Sequence, residues 1–422
     1  MFVLYTIAVR LYFTLVHLAA CCRRDARRWR DGRKHWREKL VQWNDRHAAS
    51  ARPRIWFHAS SLGEFEQGRT LMEIVREKHP DWLIMLSFYS PSGYDRQKNY
   101  PNADCVAYFP SDIKSEVDSW LELWRPDIAV FIKYDFWFEL LQQLDQRRVP
   151  FFFISAIFRP NHYLLLPFAK RLLDRVMRAR CIFVQDPESG KLLSARGHHN
   201  HELAGDTRVD RVLRISGEAL DPGVSEKLDA FCGAQRIFVA GSTWQSDLDR
   251  LVPAMHSAIA RGWKCIIAPH RVSEDDLLRI ERHFAGTCLR WSLYQPGNSC
   301  QVLAIDCIGL LAGIYRKGHF AYVGGGFSKG VHNLLEPAVH GLPVCFGPRH
   351  RKFPEAGRFV QAGFGFSIET ADDLAALFTR FETEDRNLRQ QIRAYFAQHS
   401  GASEKIYKTL KPLLEQWPKP EN

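Results

Sequence analysis

Two carboxylates, Glu64 and Glu336, sit where the chain passes from an apolar run through small residues into a helical pattern, and each could serve a different chemistry. Glu64 ends the stretch His58-Ala59-Ser60-Ser61-Leu62-Gly63-Glu64, whose small residues clear space and whose glycine lets the chain turn. A lone carboxylate there suits a general base toward a hydroxyl nucleophile, or simply an acid answering the positive end of a helix. Glu336 follows a strand-like run, His319 to Val323, and the turn Gly324-Gly325-Gly326, where the backbone can approach a ligand without Cβ interference. The next residues, His332-Asn333-Leu334-Leu335-Glu336-Pro337, offer a hydrogen-bonding pair and one carboxylate near a helix start. Glu336 would suit ribose hydroxyls. The glycines alone would be an ordinary capped turn; the whole run predicts a site for an anionic, nucleotide-linked donor.

Three further places follow strand-like runs. Ala240-Gly241-Ser242-Thr243-Trp244 supplies hydroxyls and amides that fit a phosphate, or a plain helix cap. Ala268-Pro269-His270-Arg271 offers two donors for a phosphate or carboxylate, although Arg271 could equally pair with a surface acid. Asp306-Cys307-Ile308-Gly309-Leu310 has a glycine that could bring backbone groups to a flat base. No metal-ligand cluster is visible, and neither GxxxxGK[ST] nor GxGxxG occurs in the right context, which removes the support for ATPase and dehydrogenase chemistry.

These places need strands to carry them. Strand runs are expected at 54–59, 82–88, 105–109, 128–132, 150–155 and 181–185, and again at 236–240, 265–268, 302–305, 320–323 and 344–346. They are continuously apolar rather than alternating, as in covered parallel sheets, which predicts two doubly wound, Rossmann-like α/β domains facing across a cleft. Ligands of such sheets bind beyond the carboxyl ends of the strands, where all the candidates lie. The expected division is an anchor and basic segment at 1–47, a domain at 48–210, a linker at 211–233 around Asp221-Pro222-Gly223, and a domain at 234–422 ending in an amphipathic helix from Ser403 to Trp417.

A chain of 422 residues, 46% hydrophobic and 25% charged, is globular protein in two domains. Its net charge of +11 favours anionic partners, and nine basic residues crowd between Arg23 and Lys39, directly behind an apolar N-terminus. In Met1 to Cys22, Thr6, Arg10, Thr14 and His17 form a polar stripe, so the segment fits a span with that stripe protected, an interfacial anchor, or an amphipathic helix packed on the body. The arginines predict that the body stays on the cytoplasmic side of the membrane. A membrane-tethered nucleic-acid-binding protein is disfavoured because the excess charge lies beside the apolar segment rather than along an aromatic-lined groove. The ten cysteines show no CxxC pair and are expected as free thiols.

Taken in order, HASSLGE, SFYSPSG (87–93), ISAIFRP, AGDTRVD, AGSTW, APHR, DCIGLL and VGGG followed by HNLLEPAVHGLPVCFGP, together with the N-terminal anchor, make the chain resemble the bacterial 3-deoxy-D-manno-octulosonic acid (Kdo) transferases, which are inverting glycosyltransferases of the GT-B architecture. The resemblance runs nearly end to end. It implies transfer of Kdo from CMP-Kdo to a lipid A precursor of the lipid IVA type, in lipopolysaccharide core biosynthesis at the inner membrane, with anionic phospholipids as membrane partners, no nucleic acid, and neither metal nor cofactor. Glu64 then matches the catalytic base and Glu336 the ribose-binding carboxylate, while Ser242, Thr243, His270, Arg271, Gly309, Gly324, Gly325, Gly326 and Asn333 fall on donor positions. Ser60, Ser61 and Gly63 are the expected acceptor contacts. Three departures stand out: Lys329-Gly330-Val331 replaces the family's glycine pair before HN, Pro269-His270-Arg271 its PRH, and Ile132-Lys133-Tyr134-Asp135-Phe136-Trp137 its acidic ETELWP. Another GT-B enzyme acting on a UDP-sugar is the alternative.

Overall fold

The computed structural model describes residues 2–47, 52–383 and 386–416, so the expected boundary at 47/48 and the helix end at Trp417 lie at its undescribed edges. The chain divides into two units. Unit 1 holds seven parallel strands: β1 (Arg54–Ala59), β2 (Leu83–Phe88), β3 (Cys105–Tyr108), β4 (Ile128–Ile132), β5 (Phe151–Ala156), β6 (Cys181–Val184) and β7 (His201–Leu203), in the order β3-β2-β1-β4-β5-β6-β7. Successive side chains of β1 go to opposite faces: Trp56 joins a core with Trp120, Trp124 and Phe131, while Ile55 and Phe57 join one with Leu71, Leu86 and Val130. Both faces are covered, which explains the unbroken apolar runs.

Unit 2 repeats the plan with β8 (Arg236–Thr243), β9 (Trp263–Pro269), β10 (Cys288–Arg290), β11 (Val302–Ala304), β12 (Phe320–Val323), β13 (Val344–Phe346) and β14 (Gly365–Ser367), in the order β10-β11-β9-β8-β12-β13-β14. Ile237 and Val239 face one core with Leu303 and Ala321, and Phe238 meets Phe320 and Phe378 on the other side, with ring centroids 4.6 and 4.9 Å apart. In each sheet the strand order reverses direction beside the first strand, between β1 and β4 and between β8 and β12. Those switch points are where an open α/β sheet leaves room for a ligand.

The units differ from the expected division in three respects. The N-terminal segment is packed into unit 1 rather than set apart from it: helices α1 (Phe2–Ala19), α2 (Arg24–Arg33) and α3 (Trp36–Arg46) send Trp36, Leu40 and Trp43 into its core, because aromatic and leucine residues punctuate the arginines at helical spacing. The stretch 211–233 is largely helical; Asp221 caps a helix at Pro222–Cys232 by accepting from Val224 N at 3.0 Å, and Leu228 and Phe231 are buried in unit 2. Unit 2 ends at Gln398, and the helix Ala402–Glu415 returns to unit 1. There Ile406, Tyr407, Leu410 and Leu414 fill its core, and Asp210 accepts from the amides of Gly401 and Ser403, both at 2.6 Å. The cysteines are free thiols.

Candidate active site

In unit 1, β1 delivers the chain to helix α4 (Leu62–Lys78), with Glu64 in its first turn and Ser61 donating to the Glu64 carboxylate at 3.0 Å. The neighbouring strand β4 is followed by Lys133, whose φ of 69° is left-handed, and the bend carries Asp135 back to the end of β1. Asp135 is buried and accepts from the amide of Ser60 at 3.0 Å and from the Ser60 hydroxyl. Glu64 and Asp135 thus share one switch point. Burial first, and then the charge of Glu64, hold the Asp135 carboxyl well above the usual carboxylate range.

Behind this pair lies a buried chain of neutral donors. Trp137 Nε1 donates to His58 Nε2 at 3.0 Å, so the ring proton of His58 sits on Nδ1 and goes to Ser87 Oγ at 2.7 Å, which also accepts from Trp56 Nε1 at 2.8 Å. Burial, helped by Arg33, pushes the His58 pKa down to about 3. The 3.8 Å approach of His58 Nε2 to Asp135 is thus not an ion pair, because the imidazole is neutral. Ser60 and Ser61 are present at the site, but their hydroxyl protons are committed to Asp135 and Glu64, leaving only oxygen lone pairs for a ligand. Gly63 corrects the sequence rationale: it lies inside α4 without a positive φ, so it makes no turn. An added Cβ there would meet nothing within 4 Å, so what it leaves is open space.

In unit 2 the donor candidates gather at the second switch point. A register shift between β8 and β9 falls at Ser242, whose φ of 53° makes it a bulge residue turned out of the ladder, while Thr243 is buried. His270, just after β9, stacks over both Trp244 and His332, with ring centroids 4.4 and 4.2 Å away, and the Arg271 guanidinium lies 5.1 Å over the Trp244 ring. Trp244 Nε1 donates to His332 Nε2 at 2.9 Å, closing a flat platform of three rings. Asn333 is exposed and donates to Glu336 at 3.0 Å. Gly309, beyond β11, has a φ of 99° and open space around it. The helix carrying Glu336 is a single turn, Leu335–Ala338, too short for the dipole invoked from sequence.

The glycine run also has a different reason from the one its sequence suggests. A Cβ on Gly324 would lie 2.1 Å from the Ser242 carbonyl oxygen, and one on Gly326 would lie 2.5 Å from Gly347 N. The neighbouring backbone, not a ligand, fills those places. Two of the three amides are already used, Gly324 N by Gly241 O at 2.9 Å and Gly325 N by Asp247 at 2.9 Å. Sequence inspection missed Asp247, which is fully buried and accepts from Trp244 N (2.7 Å), Tyr322 Oη (2.7 Å) and Gly325 N, tying β8, β12 and the glycine turn together. It also missed the parts played by Asp135, His58 and Trp244. Asp247 lies three residues after an Ncap position, the spacing of a capping box, and that signal could have found it.

Residues 34–211 match the family model described as 3-deoxy-D-manno-octulosonic-acid transferase (kdotransferase). The 3-deoxy-D-manno-octulosonic acid transferase of Haemophilus influenzae is 25% identical over 383 residues, covering 86% of this chain and 87% of its own, and that of Chlamydia pneumoniae is 23% identical over 395 residues, covering 87% of each. Among solved structures, the UDP-GlcNAc 2-epimerase of Neisseria meningitidis bound to UDP-GlcNAc shares the fold, with a TM-score of 0.62 at 13% identity over 85% of this chain and 100% of that one. The two parallel sheets and that neighbour give the GT-B architecture, and along more than four fifths of its length the chain is similar to the Kdo transferases.

Proposed function

We propose that the protein transfers Kdo from CMP-Kdo to a lipid A precursor of the lipid IVA type. The observation that carries this is the placing of Glu64 at the switch point of a unit that matches the Kdo transferase model, within a chain aligned to Kdo transferases over 86–87% of its length. Glu64 takes the proton of an acceptor hydroxyl as its oxygen forms the bond to the anomeric carbon of Kdo. The bond from that carbon to the CMP phosphate oxygen breaks with its electron pair, and CMP departs, so one displacement inverts the configuration. Burial and the neighbouring charge of Glu64 both oppose ionisation of Asp135, which limits the negative charge beside the base. His270 and Arg271 face the leaving phosphate, the platform of Trp244, His270 and His332 takes a planar group, and Glu336 takes ribose hydroxyls.

The body sits on the cytoplasmic face of the inner membrane, held through its N-terminal helices. Among the described residues no single helix is long and apolar enough to cross a membrane, although α1 from Leu4 and α2, bent by 116°, satisfy length and composition together. What supports attachment is α1, whose outward face is apolar. Incubation of the purified protein with CMP-Kdo and a tetraacyl lipid A precursor, followed by mass analysis, tests donor and acceptor together. Addition of the mass of Kdo is expected; activity on a UDP-sugar with none on CMP-Kdo would overturn the proposal.

A further inference from the structure

Two adjoining strands of unit 1, β4 and β5, end in backbone that few side chains adopt. Lys133, just after β4, has a φ of 69°, and Ser155, next to last in β5, has a φ of 56°. The Lys133 amide donates to Ile154 O at 2.8 Å, so both bends fall at the same level of the sheet. Left-handed backbone at residues other than glycine persists only where the surrounding structure imposes it, and it gathers at functional sites. Tyr134 comes directly after the first bend, and the segment that follows β5 brings His162 and Tyr163 against it.

These rings make one surface. His162 stacks with Tyr163 at 4.9 Å and 25°, and meets Tyr134 at 5.9 Å and 32°. Buried Phe136 and Phe158 touch His162 in T-shaped contacts at 6.1 and 5.3 Å, which fixes the tilt of the imidazole. Tyr134 is 39% exposed and Tyr163 47%, so both keep ring surface in water. Neither phenol has a hydrogen-bond partner among the described residues. Leu164 N donates to His162 Nδ1 at 3.3 Å, which leaves the ring proton on Nε2, and burial lowers the pKa of His162, so the ring is neutral at pH 7. The surface therefore combines an aromatic plane with three donors that the described residues leave unused.

It also adjoins the base. Asp135, next to Tyr134, accepts from the Ser60 amide at 3.0 Å, on the turn that leads to Glu64. The Tyr134 phenol is raised above its ordinary value, first by burial, and Glu64 is among the charges that add to this. We infer that Tyr134, His162 and Tyr163 form a subsite for a pyranose ring of the acceptor, which lies with its C–H face on the aromatic surface while its hydroxyl meets Glu64. A pyranose is apolar where its axial hydrogens align and polar around its edge, so it uses both the plane and the unspent donors. An acyl chain would leave those donors unpaired. Tyr134 belongs to the stretch that departs from the family's acidic pattern, so the aromatic at this position is a feature of this chain. The inference rests on the proposed transfer to a sugar hydroxyl, but its test needs no donor.

The full chain is titrated with the deacylated acceptor, a soluble phosphorylated glucosamine disaccharide, and binding is read by saturation-transfer NMR. The native protein is expected to saturate the axial ring protons of one pyranose most strongly. Tyr134→Phe should bind within about twofold of the native protein, because the ring remains. Tyr134→Leu and Tyr134→Ala, which lack it, should each lose roughly three- to tenfold in affinity. With the tetraacyl acceptor the same two variants should raise KM by a similar factor, leaving kcat and CMP-Kdo affinity unchanged. No binding of the disaccharide by the native protein, saturation spread evenly over both sugars, or an Ala form that binds as the native protein does would each overturn the inference. A Leu form equal to the Phe form would show a surface that reads bulk apolarity, as for an acyl chain, and would also overturn it. The expected binding pattern in a protein inactive with CMP-Kdo would overturn the proposed donor and leave the subsite standing.

Discussion

Asp247 is the side chain on which the donor half of the site hangs, and replacing it tests the geometry of unit 2. It is completely buried and accepts three hydrogen bonds, from Trp244 N, Tyr322 Oη and Gly325 N. Asp247→Ala leaves all three donors without a partner. Bonds to a charged acceptor contribute roughly 1.5–3 kcal/mol each, and they share one carboxylate, so the summed loss is about 4 kcal/mol rather than the full total. For a unit spanning residues 212–398, that lowers Tm by roughly 8–16 °C, at about 2–4 °C per kcal/mol. Asp247→Asn behaves differently. Its carbonyl can accept from the two amides that Oδ2 serves, and its NH2 can donate to a Tyr322 hydroxyl turned to accept, so the cost is about 1 kcal/mol. Scanning calorimetry of native, Asn and Ala forms, with CMP titration by isothermal calorimetry, measures both effects. CMP affinity should fall in the Ala form because Trp244 and the glycine turn lose their common anchor. Equal Tm values for the Asn and Ala forms, or an Ala form as stable as the native protein, would refute the reasoning.

Other outcomes follow from the packing and the charges of the site. Gly324→Ala drives a Cβ into the Ser242 carbonyl and should cost about 1–3 kcal/mol, whereas Gly63→Ala meets nothing and should raise the melting temperature slightly while lowering transfer, since the methyl enters space beside Glu64; loss of stability in Gly63→Ala would contradict this. Because the folded-state pKa of Asp135 is raised, its contribution to stability is complete below about pH 3.9 and is lost as pH rises, so Asp135→Asn should be more stable than the native protein at pH 7 and lose that advantage toward pH 4 in thermal melts. His58 runs the other way, from 6.5 down to about 3, and stability that depends on it falls as pH drops through that window. Glu336→Ala should weaken CMP-Kdo binding by the loss of a charge-assisted hydrogen bond, about 1.5–3 kcal/mol, while leaving Tm unchanged; unchanged donor affinity by titration calorimetry would remove the ribose role.

Much of this was legible in the sequence, and the gaps have physical causes. Arg54–Ala59, Ile128–Ile132, Phe320–Val323 and Val344–Phe346 match their expected strands residue for residue, because each is buried on both faces and, apart from Arg54 and His58, apolar. β7, β10 and β14 were invisible: each is a three-residue strand at or near a sheet edge, half exposed, with no periodicity to read. Glu64 and His270 could be singled out because they lie just beyond the ends of β1 and β9. Asp247 had a capping-box spacing to mark it, but an acid in sequence does not announce that it is buried; only the fold shows Asp135 returning to Ser60, or Asp247 joining β8 to β12. The glycine run was found for an incomplete reason, because the backbone that crowds Gly324 comes from residues some eighty positions earlier. The C-terminal helix was assigned to unit 2 by proximity in sequence, while its apolar face belongs to the core of unit 1.

The central claim is that Glu64 is the base of a CMP-Kdo-dependent transfer, and Glu64→Gln tests it with the least disturbance, because the amide keeps the size and the contact with Ser61. Single-turnover transfer from CMP-Kdo to the tetraacyl acceptor, measured beside CMP-Kdo binding, is predicted to slow by about 10²–10⁴ with donor affinity unchanged. Transfer by Glu64→Gln at the native rate would contradict the account.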